Sequence, residues 1–182
     1  MHTFRWLRIF FGFLLDRRPR DPLRPLSFRV LVTPFDVEVT RAASHAYFAW
    51  AGLGRWQSLL HNVDWQGLFK DRWVPLTQGE FITFKRSAAL LSVVEVTTRT
   101  IWWDEKMLYF EHVLTQGDQL CALGYSRGAF YGKRGRVSPT RGSIGLPSVP
   151  PFPKPGIVDF WNAGTDLLST PIAPPLTATP RA

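Results

Sequence analysis

The sequence is poor in the residues that build disulfides and metal sites. It contains one cysteine, Cys121, so an intrachain disulfide and a cysteine-rich metal site are both excluded. Its four histidines are scattered along the chain and predict no metal cluster. We therefore expect the protein to work without a metal or any other cofactor.

Long apolar runs are also missing, and the longest candidate is short. Residues 4–15 read FRWLRIFFGFLL, whereas a membrane-spanning helix needs about 20 residues. Arginines interrupt the run and no small-residue cleavage site follows, so it lacks the pattern of a signal peptide. Its arginines and Gly12 fall on one narrow stripe, which predicts an amphipathic helix over residues 1–16 that lies in a membrane interface. A helix packed on its own domain or on a dimer partner is the alternative.

Charged residues make up only 20% of the chain, yet the net charge is +8. Residues 1–24 carry +4 and residues 126–182 carry +5, so the segment between them is close to neutral. Basic ends attract polyanions such as a membrane surface, a nucleic acid or a phosphorylated ligand. We expect no nucleic-acid binding, because the basic residues lie in proline-rich segments without a recognisable module. The expected location is cytoplasmic and peripheral to a membrane.

The chain is organised as one folded domain between two irregular segments. Hydrophobic residues make up 45% of the sequence, which is enough for a core. Residues 17–27 are rich in proline and arginine and predict a linker, and the proline-rich tail covers 138–182. Within the tail, residues 157–168 are able to form one short helix. The domain itself is expected to cover residues 28–137.

The domain is predicted to be α+β, with one helix and an antiparallel sheet. A strand over 28–31 precedes a helix over 44–61 that is apolar on nearly all sides, which indicates a buried helix. Gly52 and Gly54 within this helix suggest close approach by another backbone. Runs that are rich in alternating, β-branched or aromatic residues then predict further strands, joined by hairpin turns, over 80–86, 93–103, 108–115 and 119–131. The open edges of such a sheet favour dimerisation.

Two segments of this domain resemble the 4-hydroxybenzoyl-CoA thioesterase-like family. The first, RVLVTPFDVEVTRAASHAYFAWAGLGR, is similar to the family pattern R-V-x-x-x-D-x-D-V-N-x-H-M-N-N-x-x-Y, which is followed by a helix containing D-x-G-R. The second, TRTIWWDEKMLYFEHVLTQGDQLCALGYSRGAF, resembles its strand, Trp-Asp-(Asp/Glu)-Lys turn and aromatic strand. The resemblance covers roughly residues 28–135. It implies a hotdog fold, in which a curved antiparallel sheet wraps a long central helix, and a homodimer that hydrolyses an acyl-CoA or acyl-carrier thioester.

The resemblance also implies roles for individual residues. Asp36 matches the catalytic aspartate, as nucleophile or as base for water, and N–H groups at the helix start would stabilise the oxyanion. The remaining candidates are a neighbouring base, two hydroxyl groups, and two cations for phosphate: His45, Ser44, Tyr47, Lys85 and Arg86.

The sequence departs from the family pattern at several positions. Pro34 replaces the first aspartate of the pattern, and residues 41–44 (RAAS) replace its His-Met-Asn-Asn run. Two alternatives therefore stay open. In the first alternative, Asp36 is a turn or cap residue and His45 has a structural role. In the second, the protein is a catalytically inactive hotdog protein that binds an acyl group, a lipid or a protein partner at a membrane.

Overall fold

The computed structural model describes residues 7, 9–12, 21–62, 72–133, 135–140 and 146–168. The side chains of 62 and 166–168 are not part of this description. The chain divides into two compact units, residues 1–151 and residues 152–182. The first unit contains the main sheet and the long helix, and the described part of the second unit contains one short helix.

Within the described residues, the first unit has one long helix packed on one main antiparallel sheet, as the sequence predicts. Helix α1 spans Ser44–Asn62. The strands are β1 (Leu26–Leu31), β2 (Val37–Glu38), β3 (Arg41–Ala42), β4 (Val74–Phe84), β5 (Val93–Trp103), β6 (Leu108–Gln116), β7 (Gln119–Gly132) and β8 (Gly135–Val137). The main sheet has the order β1-β5-β6-β7-β4, with β8 added to β7, and β2 and β3 form a separate short hairpin.

Helix α1 packs on the inner face of the sheet, where the hydrophobic core forms. Val94, Val96 and Leu114 from the sheet are completely buried, and Trp50 and Ala51 of the helix are buried against the same cluster. Strand β5, with the sequence VVEVTTRTIWW, alternates buried and more exposed positions over most of its length, as expected for β-branched residues on a pleated sheet. The core is therefore the layer between one helix and one curled sheet.

Strand β4 is longer than the sequence predicts, because it begins at Val74 and ends at Phe84, whereas the expected strand covered 80–86. Pro75 lies in its first half, and β4 pairs only with β7 among the described strands. Proline is tolerated on an edge strand, since its missing N–H removes no bond of an inner ladder. A register shift between Thr77 and Gly79 then inserts Gln78 as an extra residue in the strand.

The two glycines inside α1 have different surroundings. A Cβ built on Gly54 would lie 2.1 Å from the hydroxyl oxygen of Thr98 on β5. The close approach expected from the sequence is thus present at Gly54, although the neighbour is a side chain and not a backbone. The expectation is wrong at Gly52, whose added Cβ would meet only the guanidinium of Arg55, at 3.4 Å.

Three loops are joined by backbone hydrogen bonds at the end of the sheet where α1 begins. They are the 3-10 turn Pro34–Asp36, the tip of the β2–β3 hairpin, and the connection 85–92 between β4 and β5. Leu90 donates to the carbonyl of Thr40 at 2.9 Å, and Leu91 donates to the carbonyl of Val32 at 2.9 Å. These hydrogen bonds brace the loops against one another, and we call the three loops together the loop platform. It carries Asp36, Lys85 and Arg86, which are three of the candidate residues.

The second unit contains helix α2, Gly156–Leu168, which agrees with the short helix expected over 157–168. An ion pair joins Lys154 to Asp159 in its first turn. Further along, the hydroxyl of Thr165 donates to the carbonyl of Trp161 at 2.7 Å. Phe160 on this helix is exposed.

Candidate active site

Asp36 closes the 3-10 turn that precedes β2. Its Oδ2 accepts hydrogen bonds from the backbone N–H of Thr33 at 2.9 Å and from the Thr33 hydroxyl at 2.6 Å. The N–H of Asp36 donates to the carbonyl of Thr33 at 2.9 Å, which is the backbone bond of the 3-10 turn. The side chains of Thr33 and Asp36 also form a capping box around this turn, with Pro34 at the first position. The residue is only 3% exposed. The Asp36 carboxylate therefore caps the turn, as expected in the alternative in which Asp36 is a turn or cap residue.

The same turn lies beside the start of α1. Ala43, which immediately precedes the helix, donates its N–H to the carbonyl of Asp36 at 2.8 Å. The first two helical residues, Ser44 and His45, are exposed. The first turn of a helix presents N–H groups without intrahelical partners and the positive end of the helix dipole. Asp36 is therefore next to a feature that is able to stabilise an oxyanion.

Tyr47, one turn further along α1, is buried and binds the connection 85–92. Its hydroxyl accepts the N–H of Ala88 at 2.8 Å and donates to the carbonyl of Arg86 at 3.4 Å. Its ring lies against the rings of Trp50 and Phe84, with centroids 5.1 and 5.3 Å apart. Burial raises the pKa of this phenol, so the hydroxyl stays protonated and continues to donate at neutral pH.

Lys85 and Arg86 follow directly after β4 at this end of the sheet. Both are exposed, and both backbone N–H groups donate to the carbonyl of Cys121, at 2.8 and 3.0 Å. The Arg86 guanidinium contacts the side-chain oxygen of Gln119. These cations therefore flank the loop platform at its surface, where an anionic group has access to them.

The predicted site residues lie at one end of the domain, and a direct hydrogen bond joins two of them, Tyr47 and Arg86. Asp36 connects to the start of α1, and Tyr47 connects α1 to the backbone of Arg86. The sequence interpretation missed Thr33, the partner of Asp36. The T-P-F-D spacing, a Thr-x-x-Asp capping pattern with proline at the first position, carries that signal.

A second polar cluster lies in the core beneath α1, and the sequence interpretation did not find it. The hydroxyl of Thr98 lies 2.9 Å from Nδ1 of His112, and Nε2 of His112 lies 2.8 Å from the hydroxyl of Ser126. All three residues are at most 1% exposed. Burial, and then the charge of Arg55, lower the pKa of His112 to about 3. A neutral imidazole between two hydroxyl groups satisfies the hydrogen-bonding groups of this cluster. Because the cluster is buried, a substrate does not reach it.

A small cavity lies between the second half of α1 and strands β4, β6 and β7. It measures about 40 Å³, and its lining includes Arg55, Trp56, Leu59, Leu76, Phe110 and Phe130. Arg55 is paired with Glu80 at 2.7 Å, and both side chains are mostly buried. Pockets for drug-sized ligands usually measure about 300–1,000 Å³, so this cavity is too small for an acyl chain.

Two wider depressions are open to solvent and contain none of the predicted site residues. One measures about 480 Å³ and lies at Arg29, Leu31, Val93, Glu95 and Gly117. The other measures about 730 Å³, and its lining includes Lys106, Tyr131 and Arg136. Within the described part of the chain, no three His, Cys, Asp or Glu side chains are grouped so that they could hold a metal ion.

Comparisons with known proteins agree with this architecture. The model of the family described as the thioesterase-like superfamily matches residues 40–159, which is more than half of the chain. The chain belongs to the thioesterase-like superfamily. The match begins at the β2–β3 hairpin and includes α1 and strands β4 to β8. No curated protein matches this superfamily member.

Solved structures show the hotdog fold expected from the sequence. A probable thioesterase from Bartonella henselae is 16% identical with a TM-score of 0.57, and the match covers 63% of this chain and 98% of that one. The probable thioesterase YbaW from Escherichia coli is 14% identical with a TM-score of 0.59, and the match covers 64% and 91% of the two chains. A variant of 4-hydroxybenzoyl-CoA thioesterase in complex with 4-hydroxybenzoyl-CoA is 15% identical with a TM-score of 0.57, and the match covers 63% and 92%. At these identities the likeness concerns the fold.

Proposed function

We propose that this superfamily member hydrolyses an acyl-CoA or acyl-carrier thioester. The observation that carries the proposal is the position of Asp36, which one backbone hydrogen bond joins to the residue before α1, in a chain of the thioesterase-like superfamily. The bond to Ala43 is made by the backbone carbonyl of Asp36, so it is the residue that lies next to the helix start. In the proposal its carboxylate attacks the thioester carbonyl, or activates water for that attack, and the open N–H groups of the helix start stabilise the oxyanion.

The other site residues receive supporting roles in this proposal. His45 is exposed at the second position of α1, where it is able to act as a base for water. The exposed hydroxyl of Ser44 is able to contact the substrate. Lys85 and Arg86 provide exposed cations for the phosphates of the carrier. Tyr47 acts through the backbone of the 85–92 connection, which it fixes against α1.

Substituting Asp36 tests the proposal, provided that its role in the turn is separated from catalysis. Asp36→Asn removes the charge, and we expect hydrolysis of acyl-CoA esters of several chain lengths to fall at least about a hundredfold. Thr33→Val is the matched control. It removes the 2.6 Å hydroxyl bond to the same carboxylate and keeps the charge. Equal activity losses in both variants, or unchanged hydrolysis in Asp36→Asn, would contradict a catalytic role.

A second candidate function is a non-catalytic hotdog protein that binds an acyl group, a lipid or a protein partner. The observation in its favour is that the Asp36 carboxylate is engaged in the capping box with Thr33, while residues 41–44 lack the polar run of the family pattern. Binding of acyl-CoA without turnover, measured by calorimetry on the same panel of esters, would support this candidate over the enzyme.

We propose in addition that the protein is a homodimer that pairs along β4. This strand has β7 as its one partner among the described strands, so within the described part of the chain its other edge is open. Four large apolar residues of β4 are exposed: Val74, Leu76, Phe81 and Phe84. The small size of the cavity beside α1 supports an acyl pocket formed between two protomers. Light scattering should give twice the 20.8 kDa chain mass, and Leu76→Lys should lower it.

We also propose a peripheral membrane contact through residues 4–15, which would place a cytoplasmic protein at a membrane surface. Leu7 and residues 9–12 are helical, and Phe10 and Phe11 are about half exposed. Among the helices within the described residues, none is long and apolar enough to cross a bilayer. Deleting residues 1–20 should shift the protein from the membrane fraction to the supernatant, and an unchanged distribution would contradict this contact.

A further inference from the structure

Three large apolar side chains project from the cross-braced loop platform. Phe35 in the 3-10 turn is 76% exposed, Val39 at the hairpin tip is 93% exposed, and Leu91 in the 85–92 connection is 68% exposed. The platform is held by backbone bonds, including a β-bridge between Arg41 and Ala89. Because the loops are braced, the three side chains cannot easily fold back onto the domain. We call these three residues the apolar tips.

Two of the apolar tips occupy a backbone conformation that disfavours them. Val39 has a φ of 61° and Leu91 has a φ of 63°, both in the left-handed region. Branched side chains rarely adopt this region, whereas glycine and asparagine adopt it readily. The chain therefore places apolar side chains at positions where both the backbone and the surrounding water disfavour them. Exposed apolar surface of this kind usually marks an interaction site.

We propose that the apolar tips insert into the surface of an anionic lipid bilayer. The exposed charged residues within these loops are the cations Arg41, Lys85 and Arg86 and the carboxylate Glu38, a positive excess. The chain as a whole carries a net charge of +8, which attracts an anionic membrane over a longer range. Apolar side chains beneath basic ones suit the boundary between acyl chains and headgroups.

The shape of this surface favours a bilayer over a second copy of the chain. A stable protein interface buries about 800 Å² on each partner. Val39, at 93% exposure, stands almost clear of its neighbours, so it forms a projecting tip and not part of a flat, packed patch. The open edge of β4, proposed above for dimer pairing, is a separate surface. A fluid bilayer accepts projecting tips without a complementary partner shape.

This inference deepens the proposed function, on which its substrate part rests. Asp36 is the neighbour of Phe35 in the 3-10 turn, and Ser44 and His45 begin α1 at the same end of the domain. Docking through the tips would turn the helix start toward the bilayer. The substrate class that this arrangement fits is a long-chain acyl thioester, whose acyl chain partitions into the membrane.

The test uses the full chain and vesicles of phosphatidylcholine, with or without phosphatidylserine. In the double variant Val39→Asn and Leu91→Asn, asparagine suits the left-handed backbone, so the fold should be kept, which circular dichroism and urea unfolding verify. We expect the affinity for anionic vesicles to fall roughly tenfold or more, because apolar burial is lost. Val149→Asn is the matched control, since Val149 is 71% exposed outside the platform. Its binding should match that of the parent protein.

Equal binding of anionic vesicles by the double variant and the parent would overturn the inference. It would assign any vesicle binding to another segment. If the molar mass of the double variant falls at the same time, the tips are instead a contact between copies of the chain. Hydrolysis of a short-chain, water-soluble acyl-CoA should persist in the double variant. Absence of hydrolysis in the parent would remove the proposed function and the substrate class, while the vesicle measurement would still decide the docking.

Discussion

Gly54 of α1 lies directly against Thr98 of β5, so that a Cβ added to the glycine would lie 2.1 Å from the threonine hydroxyl oxygen. Thr98 cannot simply rotate away, because the same hydroxyl lies 2.9 Å from Nδ1 of the buried His112. The contact thus sets the distance between the helix and the centre of the sheet. It also explains a glycine in the middle of a buried helix, where alanine is the more favourable residue.

Alanine at Gly54 should therefore destabilise the protein, although alanine favours helices. We expect Gly54→Ala to lower the free energy of unfolding by about 1–2 kcal/mol, since the strain of overpacking exceeds the gain in helix propensity. Gly52→Ala is the control on the same helix, where the added Cβ has an ordinary contact at 3.4 Å. It should be neutral or stabilising by up to about 1 kcal/mol. Urea unfolding of both variants checks the prediction, and equal effects would contradict it.

The buried His112 should make folding sensitive to acid. Its pKa is lowered from 6.5 to about 3, chiefly by burial, so the unfolded chain binds a proton that the folded chain does not. Stability is then fully present above about pH 6.5 and falls as the pH decreases, by about 1.4 kcal/mol per pH unit, until it levels off near pH 3.

The contribution of His112 is measured by comparison with His112→Gln. This variant has no group that titrates in the same range, and it retains amide groups for the two hydroxyl partners. Unfolding in urea between pH 7 and pH 4 should show a slope against pH that is smaller by up to one proton than in the parent protein. Identical slopes would mean that the histidine is protonated in the folded state, contrary to its surroundings.

Breaking the ion pair between Arg55 and Glu80 should lower the free energy of unfolding far more than breaking an exposed pair. Its side chains are 13% and 14% exposed, whereas Arg99, which pairs with Glu111, is 54% exposed. Glu80→Leu leaves a mostly buried guanidinium without its carboxylate, and we expect a loss of about 3 kcal/mol in the free energy of unfolding. Arg99→Ala should cost less than about 1 kcal/mol. Adding Arg55→Met to Glu80→Leu should recover part of the lost stability. If the effects of the two substitutions on the free energy of unfolding simply add, the two side chains do not interact as proposed.

The sequence predicts the large elements of the fold well, because they carry strong periodic signals. The long helix and the strands after it are confirmed, with β5 at the expected bounds. The helix is not buried on nearly all sides as predicted, because Phe48 and Trp56 are exposed. The two-residue strands β2 and β3 were not predicted, since such short elements contain too few residues to show a pattern. The first half of β4 was missed because Pro75 and Gly79 interrupt it, and only its place at the sheet edge makes them acceptable.

The candidate site was predictable only in part. The motif at Asp36 identifies a residue at the entrance to the helix, and the structure places it there. The partners of Tyr47 are backbone groups of Arg86 and Ala88, which are distant in sequence and have no side-chain signature. The cluster around His112 depends on strand register, which pairs Thr98 with His112 across β5 and β6, and residue types alone do not determine register.

The strand order β1-β5-β6-β7-β4 has a consequence for how the chain assembles. Strands β5, β6 and β7 follow one another through tight turns, so their pairing closes short loops and needs little loss of chain entropy. Strands β1 and β4 come earlier in the sequence than this meander and must join its two opposite flanks by long-range contacts, which form slowly. We therefore expect the meander to form first, and α1, which lies between β1 and β4 in the chain, to be fully packed on the sheet only when both flanking strands have docked.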